Sequence, residues 1–201
     1  EIASCLVGSE MCIRDSYCII PPQYALQGLV PPSYYVDQLM SYIGKLYYVG
    51  LLSAAAFWGA AHQRPQQFSI MTTYPRYSRS SDRNNMLIWF YRTEIPEKFL
   101  LTKNTETSCV KYSNAELTAI DLVQFEQHIG GLSRAATVLS ELLENTNFRG
   151  AHDTLFNFTT VATVQRLGYI VDEILEERGQ ADIIYNLSLI HISEPTRQEA
   201  I

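Results

Sequence analysis

The chain has 201 residues, 47% of them hydrophobic and 18% charged, with a formal net charge of −6. That length and apolar content support one globular domain with its own core and exclude a disordered chain. The balance is not basic overall, and the most apolar stretch, 47–61, is short and carries Gly50 and Gly59, so no segment is expected to span a membrane.

The two ends have to be set aside before the elements are read. The first segment, 1–16, reads EIASCLVGSEMCIRDS, and the last, 187–201, reads LSLIHISEPTRQEAI. Back-translating the last segment and reading the opposite strand in a shifted frame, with a few flanking bases, yields the first. One DNA read from both strands resembles a transposase-based sequencing adapter, so both segments are expected to be adapter-derived, non-native and weakly packed. Removing them takes away five acidic and two basic residues and leaves a formal charge of about −3 on residues 17–186. Cys5 and Cys12 leave with them. Cys18 and Cys109 remain, far apart and without metal-ligand spacing, which points to a reduced, cytoplasmic protein.

Tyr17 to Ile20 is a short β-prone run stopped by Pro21-Pro22, which cannot supply ladder donors. After Pro31-Pro32, Ser33 is placed to cap a helix whose apolar positions Val36, Leu39, Met40 and Ile43 share one face, with Gly44 closing it. Residues 47–50 form a turn or short strand, and the Ala-rich run from Leu51 to His62 reads as a buried helix ended by Gln63-Arg64-Pro65. Four β-branched and aromatic runs follow: Phe68 to Thr73, Met86 to Arg92, Lys98 to Leu101 and Ser108 to Tyr112. Short connections between them predict a small, mostly antiparallel sheet. Ser113 is then placed to cap a helix over 115–127, with two more helical patterns over 132–144 and 161–177. The expected class is α+β: N-terminal helices, a small sheet and a C-terminal helical bundle.

Three runs carry a family resemblance: YYVGLLSAAAFWGAAHQRPQQFSIMT (47–72), SNAELTAIDLV (113–123) and GGLSRAATVLSEL (130–142). With IIPPQY (19–24) and VQRLGYIVDEI (164–174), they resemble the effector domain of AbiEi antitoxins. The resemblance covers nearly all of 17–186. It implies an antitoxin and transcriptional repressor of a bacterial type IV toxin–antitoxin system that gives abortive phage infection. It also implies a nucleotidyltransferase-type toxin as the opposed partner, without a stable complex, and operator DNA bound through an N-terminal winged helix-turn-helix lying upstream of Tyr17. No catalytic, cofactor or metal residue follows from it.

The residues themselves offer few sites for chemistry. In the loop TYPRYSRSSDR, Arg76, Arg79 and Arg83 stand near Tyr74 and Tyr77 and could pair with phosphates, and the competing reading is a solvated hairpin loop diluted by Asp82. His62, His128 and His152 are isolated from one another and read as structural. Glu116 and Asp121 are five apart on one helix, hence on different faces, so they do not form a paired-carboxylate site; Asp121 is expected to bond a loop. Cys109 reads as packing, and Gly130-Gly131 as a turn between helices. The alternative is a small metal-dependent nuclease or transferase whose acids, Glu94, Glu116 and Asp121, converge only on folding. A purely structural interaction domain would instead show a large exposed apolar patch.

Overall fold

The computed structural model describes residues 10–13, 16–26, 30–61, 65–76, 86–151 and 156–193. Strands β1 (Glu10–Ile13) and β2 (Ser16–Ile19) pair antiparallel in a sheet of their own. Helix α1 (Val36–Ile43) follows, ended by Gly44 at φ +72, where a residue without Cβ is comfortable. Its N-cap position is taken by Tyr35 and not by Ser33, because Pro31-Pro32 launch a separate 3-10 turn, Pro32–Tyr34, that absorbs the serine.

The main sheet consists of β3 (Tyr47–Val49), β4 (Phe68–Thr73), β5 (Leu87–Arg92), β6 (Leu100–Asn104) and β7 (Cys109–Ser113), in the order β5-β4-β3-β7-β6. β3–β4 and β6–β7 run antiparallel, while β4–β5 and β3–β7 run parallel. The sheet is therefore mixed, which corrects the mostly antiparallel expectation. The short-connection argument holds only for the β6–β7 hairpin. The β4–β5 link, 74–86, is about a dozen residues, long enough to return the chain to the same end of the sheet. β3, where the sequence predicts a turn or short strand, is the central strand and is buried along its whole length.

Helix α2 (Leu51–Phe57) leaves β3 directly, and α3 (Ala115–Gln124), α4 (Glu126–Ile129), α5 (Leu132–Leu142), α6 (Val161–Tyr169) and α7 (Arg178–Ser193) follow the sheet. Asn114 caps α3 by accepting from Leu117 N at 2.9 Å, while Ser113, the expected cap, shares a 2.6 Å hydroxyl bond with Thr118. The helix expected over 115–127 breaks at Phe125. Gly130 and Gly131 turn the chain at φ +104 and +89, as the spacing required. The helix expected over 161–177 passes through a π turn at Ile170–Ile174 and ends at Glu176, φ +58. α7 does not stop at Asn186: Leu187 packs against the core and Ser188 is buried.

Strand alternation divides the core in two. Tyr48, Met71 and Phe90 stand in register across β3, β4 and β5 and face α3, α5 and α6. Val49, Ile70 and Trp89 form the next row on the opposite face, in the cluster that holds Val36, Leu39 and Met40 of α1. α3 is buried from Leu117 through Val123, so it is a central helix with no solvent face over that run.

Candidate functional site

An aspartate inside a fully buried helix needs a partner, because an unpaired charge there is prohibitively desolvated. Asp121 has 0% exposure and finds two. Its Oδ2 accepts from the Tyr48 hydroxyl at 2.9 Å, and its Oδ1 pairs with Nη2 of Arg92. The alternation that sends Phe90 toward α3 sends Arg92, two residues on, to the same face. Arg92 Nη2 also donates to Gln124 Oε1 at 3.0 Å, and Nη1 to the Phe158 carbonyl at 2.6 Å, while the guanidinium carbon lies 5.7 Å from the Phe125 ring centroid. One guanidinium thus joins an edge strand, the central helix and the segment leading into α6. Asp121, expected to bond a loop, bonds side chains of the sheet instead, and Arg92 reaches the segment leading into α6.

The electrostatics follow from burial. Desolvation pushes the Asp121 carboxyl up from its ordinary range, against the pull of Arg92 and Tyr48. Burial works hardest against the Arg92 charge, but Asp121 and Tyr48 together outweigh it and the guanidinium is held above its usual value. Burial, with the Asp121 charge beside it, raises the Tyr48 phenol well above 10. A phenol raised in the folded state gives full stabilisation below its unfolded value of about 10 and loses it as pH climbs beyond. Stability is therefore expected to fall above about pH 10, by about 1.4 kcal/mol per pH unit from Tyr48. Chemical denaturation across that range checks this, and Tyr48→Phe is expected to remove that part of the slope.

Next to the network the chain turns sharply from β3 into α2. Gly50 lies in extended backbone, and a Cβ there would sit 2.9 Å from Met71 Cγ, 3.2 Å from Tyr48 Cε2 and 3.4 Å from Asp121 Oδ2. Leu51, fully buried, takes φ +54, a left-handed value that costs a non-glycine residue about 1 kcal/mol or more. The burial of Leu51 holds it there.

The acids weighed as a catalytic cluster have three different surroundings. Asp121 is buried in the ion pair, Glu116 accepts from Asn147 N at 2.8 Å, and Glu94 is exposed after β5. Among the described residues no three His, Cys, Asp or Glu side chains are grouped to hold a metal. His128 packs edge-on to Phe90, 5.4 Å between centroids, and to Phe125. His62 and His152 lie outside the described residues. Cys109 is exposed, with Sγ 3.1 Å from Asn104 Oδ1. Of the three loop arginines, Arg76 is described, and Arg79 and Arg83 fall outside. Arg76 leans on the Tyr74 and Tyr91 rings at 5.9 and 5.8 Å. No described helix is long and apolar enough to cross a membrane.

Fold and site together define an α+β domain with helices on both faces of a mixed sheet, locked by a buried ion pair. A family model described as the AbiEi antitoxin C-terminal domain matches residues 48–173, and the chain belongs to that family. Membership makes it an antitoxin-type domain of a toxin–antitoxin system, from a family not known for enzymatic activity. The crystal structure of the RV2827C protein from Mycobacterium tuberculosis shares the fold, with a TM-score of 0.63 at 14% identity. That match covers 91% of this chain, which spans 66% of the mycobacterial one. No curated protein sequence matches.

Proposed function

We propose that this chain is the effector domain of an antitoxin that opposes a nucleotidyltransferase-type toxin and represses their shared operon in a type IV, phage-defence system. It does so without catalysis, in the cytoplasm, with operator DNA bound through a winged helix-turn-helix joined to it upstream. In the same reading, residues 17–186 are its native part, and 1–16 and 187–201 are adapter-derived. The observation that carries the proposal is the family match over 48–173, a span that contains Tyr48, Gly50, Arg92 and Asp121. It is supported by the use of the buried charges for cohesion: the carboxylate and guanidinium in the core bond each other and their neighbours.

The test begins with genomic DNA on either side of the coding segment, where a winged-helix frame should run into Tyr17 and a nucleotidyltransferase gene should follow. Co-expression of the present chain with that toxin is expected to restore growth, with no toxin co-purifying. Growth arrest that persists beside folded, abundant chain would overturn the antitoxin assignment.

A further inference from the structure

We propose that the corner built from Tyr74, Arg76 and Tyr91 is a stacking platform for unpaired nucleotides. It goes beyond the antitoxin reading and stands or falls without the toxin. The Tyr74 and Tyr91 rings lie 5.5 Å apart at 36°, and the Arg76 guanidinium carbon lies within 6 Å of both centroids. Tyr74 is 53% exposed, so the core gains little from it, yet its position is fixed. Lys45 Nζ donates to the Thr73 carbonyl at 2.8 Å and to the Pro75 carbonyl at 2.6 Å, clamping the backbone on both sides of the ring. A surface aromatic held in place before any ligand arrives loses little entropy on binding one.

The chemistry of the corner selects the ligand. Aromatic planes beside a guanidinium receive a base by stacking and its phosphate by a charge-assisted hydrogen bond, a combination tolerant of sequence. In a duplex the base faces are hidden in the stack, so a platform of this kind favours single strands. Arg76 and Lys45 bring two cations to one corner of a chain whose overall charge is −6. The next arginines in sequence, Arg79 and Arg83, lie outside the described residues.

Fluorescence anisotropy of the full chain with labelled oligouridylate, oligodeoxyuridylate and a blunt duplex tests this at low and raised salt. Single strands are expected to bind more tightly than the duplex. Tyr74→Ala should weaken the single-strand affinity about 5- to 100-fold, the effect of losing one stacked base, while Tyr74→Phe keeps it. Arg76→Ala should reduce the salt slope by about one. A preference between the uridylate strand and its deoxyuridylate counterpart, which differ in the 2′-hydroxyl alone, assigns the site to RNA or DNA. The proposal is overturned if the wild-type chain binds neither strand, if the duplex competes equally, or if Tyr74→Phe loses as much as Tyr74→Ala. Circular dichroism melts of each variant show that the fold persists.

Discussion

Asp121→Ala is expected to cost about 3–5 kcal/mol. The charge it leaves behind decides the size. Arg92 is 7% exposed, and without Asp121 its guanidinium keeps neutral partners among the described residues: the Gln124 side chain, the Phe158 carbonyl and the neighbouring Tyr48 and Phe125 rings. Nε of Arg92 is already buried without a partner, so the site has no spare acceptor to offer. The Tyr48 hydroxyl loses its acceptor in the same step. A buried pair resists loss of one member far more than loss of both, since replacing both by apolar groups of similar volume is often neutral. The double substitution Arg92→Met with Asp121→Leu is therefore expected to recover most of the loss, and urea titration of the single and double variants measures the coupling. A double variant as unstable as the single would show that the pair is not the source of the cost.

The same network shows how far the sequence could be read. The central helix was legible, because Leu117, Ile120 and Leu122 fall on core positions and a charge at 121 among them demands a partner. Which partner was not legible. Arg92 ends a run, LIWFYR, that reads simply as a strand, and its face is set by register with β4, which single-strand periodicity does not encode. The sheet went the same way. Strand positions could be read from β-branched and aromatic runs, but parallel pairing of β4 with β5 and of β3 with β7 depends on links whose path composition does not reveal. Caps were nearly right and wrong by a residue or two: Asn114 displaced Ser113, and a proline-led turn displaced Ser33. Arg76 was legible as an exposed cation beside aromatics, but its alignment with Tyr91 was not, since Tyr91 belongs to the strand across the loop.

Gly50→Val is expected to destabilise by about 3 kcal/mol and Gly50→Ala by about 1–2, the range for forcing methyl groups into a packed core. Backbone conformation is not the cause: Gly50 has φ −123 and ψ −173, which any residue adopts. The cause is the approach of three side chains to one missing Cβ. Met71 Cγ at 2.9 Å must move, and a flexible thioether chain can do so, which keeps the alanine cost moderate. Tyr48 and Asp121 have less freedom, because each holds the other through the 2.9 Å bond and Asp121 is tied to Arg92. The further methyls of valine have only that network to push against, so its cost rises more steeply than volume alone requires. Met71→Ala is expected to relieve Gly50→Ala but to relieve Gly50→Val less, since only the first clash ends at Met71. Thermal melts of the three single variants and the two double variants separate these cases. Equal rescue of both would place the strain at Met71 alone, and would mean that the corner where β3 hands over to α2 is not braced by the Tyr48–Asp121–Arg92 network.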